Sequence, residues 1–204
     1  MDESRSRLTV LDQITASDKV RSKIIHAASS LYAKKGFTAT SIQEISEKAG
    51  VSLPVTYHYV KKKSEIMRII IEDALTIFRE SLLKQVQGID EPREKLAIAV
   101  KLYFKIVDQH RDRALLIYQK SKALDKASRL SAMQLELEVV KIFAKIISEG
   151  IARGAFRNVD VDLMAYNIVM MAHMWVLKRW YFKNRLTLDK YINLQLATIV
   201  DALN

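Results

Sequence analysis

The 204-residue chain has no cysteine, only five glycines and only two prolines. Without thiols there can be no disulfide, no thiolate metal site and no cysteine nucleophile, a usage that fits a reducing cytoplasm. With so few breakers there is little material for hairpin turns, and no segment alternates cleanly enough between turn signals to form a strand. Half the residues are apolar, enough for a sizeable core. These features predict an all-α chain of about nine helices joined by short turns.

Enzyme signatures are missing too. There is no Gly-x-Ser-x-Gly, no His-Glu-x-x-His and no Gly-rich phosphate loop. The histidines, His26, His58, His110 and His173, are scattered without metal-ligand spacing. No catalytic residue, metal or cofactor is therefore expected, and the chain is not read as an enzyme. The most apolar run, Ile168–Leu177, is about half a membrane span and is interrupted by His173. Met1–Ser17 carries scattered charge and no apolar centre, so it is read as a flexible arm and not as a signal peptide. The expectation is a soluble cytoplasmic protein.

What the chain has in excess is positive charge, a formal net of +10. Such a balance suits a polyanion, either nucleic acid or an anionic membrane surface. The excess is spread along the chain, since residues 1–70 hold 12 Lys/Arg against 7 Asp/Glu. A footprint on DNA must therefore come from local placement, such as Lys61-Lys62-Lys63 directly after a short helix.

Apolar residues at three- and four-residue steps (Val20, Ile24, Ala28, Leu31, Tyr32) predict a helix over Asp18–Lys35, with Ser17 as its cap and Gly36 as its end. Ser41-Ile42-Gln43-Glu44 is a capping-box pattern for a helix over Ser41–Ala49, with Glu44 and Lys48 as a favourable pair one turn apart. Gly50 supplies a turn, Ser52 caps the next helix, Leu53–Tyr59, and Pro54 falls in its first turn. Further helices are predicted at Ser64–Val86, Arg93–Asp108, Arg113–Lys122, Ser128–Glu149, Val161–Phe182 and Leu188–Ala202. Breaks are expected at Gly88–Pro92, His110–Asp112, Gly150–Gly154 and Asn184–Thr187. Residues 1–17 then form the arm, 18–63 a three-helix module and 64–204 a second, helical domain.

Two short helices joined by a Gly-containing turn make a helix-turn-helix. The first braces against the DNA backbone, and the second offers short side chains to base edges in the major groove. The run from Gly36 through Thr40-Ser41-Ile42-Gln43-Glu44 to Gly50-Val51-Ser52, continued by Thr56-Tyr57-His58-Tyr59 to Lys63, resembles the N-terminal signature of the TetR repressor family over about residues 18–66. The resemblance implies that Thr40 and Ser41 bind phosphate through hydroxyl and backbone N–H. It implies that Tyr57, His58 and Lys63 also meet the backbone, and that Leu53, Val55 and Thr56 face bases. Pro54 and Val60 depart from the family pattern, where Gly and Phe are usual.

The same resemblance implies an all-helical ligand-binding and dimerisation domain beyond residue 63. In it the last two helices pair with their copies in a homodimer on a double-stranded DNA operator. Val161–Phe182 is apolar on more than one side. Met164, Ile168, Met171 and Trp175 form one row, expected to bind a small hydrophobic effector. Met170, Met174, Leu177 and Tyr181 form another. Glu149–Phe156, Met174-Trp175 and Arg179-Trp180-Tyr181 resemble a TetR subgroup that regulates lipid and steroid catabolism and senses acyl-CoA thioesters, with Arg153, Arg157, Lys178 and Arg179 available for phosphates. The alternatives are a basic helical protein at a membrane surface, which leaves the helix-turn-helix unused, or a TetR-type efflux regulator responding to a drug-like ligand.

Overall fold

The computed structural model describes residues 3–120 and 126–204. The described residues form ten helical segments and no strand: α1 (Glu3–Lys35), α2 (Ile42–Ala49), α3 (Leu53–Tyr59), α4 (Lys63–Val86), α5 (Pro92–Gln109), α6 (Arg111–Lys120), α7 (Lys126–Ala152), α8 (Val161–Leu177), α9 (Arg179–Phe182) and α10 (Leu188–Leu203). The all-α expectation holds, and most boundaries fall within two residues of those predicted. The predicted end of α6 at Lys122 lies outside the described residues.

Three boundaries differ. Helix α1 runs back to Glu3, so the expected arm is helical from there on. Nothing between Glu3 and Lys35 is Gly or Pro, and Ser17, read as a cap, sits mid-helix with its Oγ accepting from Tyr59 Oη at 3.2 Å. The long helix predicted to Phe182 is split at Lys178, whose φ of −110° and ψ of 27° leave the helical region. Asp108 of α5 accepts from Trp175 Nε1 at 2.8 Å and from Arg179 at 3.0 Å, holding both sides of the break. Finally, α7 continues through Gly150 to Ala152. Gly150 is there for closeness: a Cβ on it would lie 2.0 Å from the ring of Phe156, which folds back over the helix. The chain reverses instead at Gly154, at φ +70°.

Helix α4 is the central pillar. Ile66, Met67, Ile70, Ile71, Ala74, Phe78 and Leu82 are all sealed from solvent, and the helix packs on α1, α5, α6 and α7. A helix apolar on several sides must be covered on several sides. Aromatic edges knit the second layer, with Phe78 to Tyr103 at 5.9 Å and Tyr103 to Phe143 at 5.5 Å between centroids. The chain passes from the small N-terminal module to this body through residues 60–62, between α3 and α4, and α1 of the module packs against α4 and α6.

Candidate DNA-reading face and effector domain

The module begins with two local devices. Ser41 caps α2 by accepting from the Glu44 N–H, and Glu44 returns to the Ser41 N–H at 2.8 Å, completing the capping box. Glu44 pairs with Lys35 of α1 and not with Lys48. The Lys35 ammonium and the two Ser41 hydrogen bonds hold its carboxyl at about 2, below the usual range. Lys48 instead donates to Ser30 Oγ of α1 at 2.6 Å. Gly50, at φ 66° and ψ 36°, closes α2 with a backbone conformation that a Cβ disfavours. Ser52 caps α3, and Pro54 sits in its first turn where no N–H is needed.

Helix α3 then has two faces. Thr56 and Val60 point inward: Thr56 is wholly buried, and its Oγ1 meets Ser46 Oγ of α2 at 2.8 Å. Leu53, Pro54, Val55, Tyr57 and His58 lie on the exposed side, and Tyr57 is 49% exposed. Lys61 and Lys62 are exposed just beyond, and Gln43 is exposed on α2. An apolar and aromatic strip bordered by cations is the composition that meets thymine methyls and phosphates.

In the second domain, α8 turns one row inward and one outward. Ile168 and Trp175 are buried, while Met164 and Met171 are half-buried. Trp175 is packed against Phe182 and Tyr191 with centroids at 6.1 and 5.0 Å. Outward, Asn167, Met170, Met171, Met174, Leu177 and Lys178 border an open depression of about 340 Å³. The interior between α5, α6 and α8 holds a polar knot. His173 is 3% exposed, with Nε2 2.8 Å from the Tyr103 hydroxyl and Nδ1 hydrogen-bonded to Tyr118. Burial lowers the His173 pKa to about 4, so its imidazole is neutral at pH 7. Beside it Tyr166 donates to Glu136 at 3.3 Å, and burial raises the Glu136 carboxyl above the usual carboxylate range.

Comparison with known proteins places this architecture. Residues 24–68 match the bacterial regulatory proteins of the tetR family, and residues 90–184 match the tetracyclin repressor-like C-terminal domain. The HTH-type transcriptional regulator HbdR of Aromatoleum sp. (strain CIB) is 30% identical over 201 residues, spanning 98% of this chain and 88% of HbdR. The chain belongs to the TetR family. Another TetR relative, the HTH-type transcriptional repressor KstR2 of Mycolicibacterium smegmatis, is 30% identical over 169 residues, 79% of this chain and 78% of KstR2. AibR, solved in complex with isovaleryl coenzyme A and operator DNA, shares the fold with a TM-score of 0.77 at 20% identity, across 91% of this chain and 100% of AibR.

As a TetR-type protein the chain is a DNA-binding transcriptional regulator and not an enzyme. No described helix is long and apolar enough to cross a membrane. Within the TetR module, several groups expected to meet DNA are already engaged inside the protein. Thr56, expected to face bases, instead turns inward with its side chain sealed against α2. Thr40 is buried, its hydroxyl donates to Gly36 O at 2.8 Å and its N–H to Phe37 O at 3.3 Å, so neither is offered to phosphate. Ser41 is exposed, but its N–H and hydroxyl both bond to Glu44. Lys63 donates to Thr38 O at 3.1 Å and Thr40 O at 2.8 Å, and lies 4.6 Å from the Phe37 ring centre. It fastens the loop before α2 to the start of α4. Leu53, Val55, Tyr57 and His58 do share the outward face of α3.

In the TetR effector domain, the inner row is partly structural. The indole N–H of Trp175 is committed to Asp108 and its ring to neighbours, so it is a packed strut and not a free wall. Of the cations proposed for phosphate, Arg153 donates to Asp90, Arg157 to Ala202 O and Arg179 to Asp108, while Lys178 borders the apolar depression. The His173 knot carried no sequence signal, since Tyr103 and Tyr118 lie 70 and 55 residues from it in the chain.

Proposed function

We propose that the chain is a cytoplasmic transcriptional repressor that binds a pseudo-palindromic operator as a homodimer and is released by an effector with a hydrophobic acyl chain, an acyl-CoA thioester. The observation that carries this reading is the two-faced α3. Its inward residues are locked to α2, which leaves Leu53, Val55, Tyr57 and His58 free to enter a major groove. In a dimer the two recognition helices sit about 34–36 Å apart, one turn of DNA.

Dimerisation is supported by the apolar residues left outside on the last helices. Leu163, Trp180, Tyr181 and Leu194 are all exposed, Trp180 at 72%. Large apolar side chains left outside on the closing helices are what a subunit interface would cover. The effector class is supported by the company of relatives, which includes a repressor named KstR2 and a structure of AibR with isovaleryl coenzyme A and DNA. Acyl chains would lie against Met164, Ile168 and Met171, since methionine-rich walls adapt to varied apolar shapes.

Coupling follows from the short connector. A ligand that tilts α4 changes the separation of the two α3 helices, and a 100-fold drop in operator affinity needs only about 2.7 kcal/mol of differential binding. The test is operator binding by fluorescence anisotropy at fixed salt, with and without acyl-CoAs of graded length, beside sedimentation velocity. A monomer on DNA, or an affinity indifferent to every acyl-CoA, sinks the reading.

A further inference from the structure

We propose that His173, with Tyr103 and Tyr118, is the polar end of the effector site and receives an uncharged carbonyl oxygen, so that the protein selects thioesters and rejects the free carboxylates of the same chain. This rests on the effector reading above and names the chemistry that would decide it.

Proton placement in the knot carries the argument. Tyr103 is buried, and among the described residues its hydroxyl meets His173 Nε2. A buried hydroxyl hydrogen needs an acceptor, so Tyr103 donates to Nε2. A neutral imidazole has one N–H, which must then sit on Nδ1 and donate to the Tyr118 oxygen. Tyr118 in turn directs its own hydrogen to Met170 Sδ at 3.5 Å, a weak acceptor. The chain of donors thus ends on a thioether, and its last strong donor, Nδ1–H, points at an oxygen that a ligand oxygen could replace. Tyr118 is 37% exposed, in contrast to Tyr103, and so is the member that can be displaced.

Charge decides which oxygen. Burial keeps the phenols of Tyr103 and Tyr118 protonated and uncharged, and Glu136 is the carboxyl close enough to act on both. A carboxylate brought here is desolvated beside Glu136 with neutral donors only, a costly placement. A carbonyl carries no charge to desolvate and takes Nδ1–H in a normal hydrogen bond. Met170, whose Sδ already lies against the Tyr118 hydroxyl, is the apolar neighbour that a hydrocarbon chain would meet there.

The experiment uses the full chain and N-acetylcysteamine thioesters from butyryl to dodecanoyl, which keep the thioester carbonyl and lack the nucleotide, against the matching free carboxylates. Binding is read by isothermal titration at pH 7 in two buffers of different ionisation heat. The expected result is a preference for thioester of about tenfold or more, without proton uptake. Tyr118→Phe, at a half-open position, should keep the preference. His173→Phe should fold and reduce thioester affinity to that of the carboxylate, and His173→Gln, which retains an N–H donor, should restore part of it.

Equal or tighter carboxylate binding with uptake of a proton, or an unchanged preference in His173→Phe, overturns the assignment while leaving the acyl effector reading in place. If neither class binds but acyl-CoAs still release the operator, recognition lies with the nucleotide and this assignment is again wrong. If no acyl compound binds or releases DNA, the effector reading itself has failed.

Discussion

Ser46 Oγ and Thr56 Oγ1 meet at 2.8 Å in the buried seam between α2 and α3. This contact sets the rotation of the recognition helix, because it fixes which side of α3 turns inward. Thr56→Ala removes a buried hydroxyl and methyl and should cost about 1–2 kcal/mol of stability, measured by urea unfolding. Operator preference among base variants should be unchanged under conditions where the protein stays folded. An altered base preference at equal stability would contradict the inward placement.

Lys63 and Lys61 should separate cleanly. Lys63→Ala loses two hydrogen bonds to the backbone at Thr38 and Thr40 and should cost about 1–2 kcal/mol in stability. Lys61→Ala, at an exposed position, should leave stability within about 0.5 kcal/mol and reduce the salt dependence of operator binding by about one ion. Thermal unfolding and a salt titration of operator affinity check both.

On the outward face, Tyr57→Ala should weaken specific and non-specific DNA alike. Val55→Ala should shift preference at one position of each half-site, at about 1–3 kcal/mol for the affected base pair. Binding to a library of operator variants distinguishes the two. Thermal stability should stay near that of the parent, because both side chains are exposed.

Gly150 is held empty for the Phe156 ring. Gly150→Ala should destabilise by about 1–3 kcal/mol through overpacking, and adding Phe156→Leu should recover part of it. A stabilising Gly150→Ala, as helix propensity alone would give, would show that the ring has room to move.

Stability should fall with acid through His173. Its pKa is about 6.5 unfolded and about 4 folded, so the unfolded chain binds the extra proton between those values and stability drops as pH falls from about 6.5 to about 4. Glu44 acts only below its ordinary range, on the way to about 2, and Glu136, raised by burial, acts with the opposite sign. Comparing the parent with His173→Phe holds both carboxyls constant. The parent should lose a few kcal/mol more than the variant between pH 7 and pH 4.5.

The parts of the fold that could be read from sequence are those whose cause is local. Ser41 with Glu44, Gly50, Ser52 and Pro54 specify two short helices and the turn between them within a dozen residues, and all four devices are present in the structure. The use of Ser17 as a mid-helix partner, the break at Lys178 and the orientation of Thr56 involve residues far from them in the chain or on another helix: Tyr59, Asp108 and Ser46. Periodicity could place Met164, Ile168, Met171 and Trp175 on one row, but not say that Asp108 would claim the indole. His173 looked like an interruption in an apolar run, and only folding brings two phenols to its two nitrogens.

The hold of Lys63 on the loop at Thr38 and Thr40 has a practical consequence for building hybrid sensors. The shortest connection between the reader and the sensor is residues 60–62. A cut there separates the lysine from the carbonyls it ties down and hands the reader a foreign first turn of α4. Grafts of this reading head onto another sensor should therefore carry the chain past Lys63, so that the fastening travels with the part it fastens.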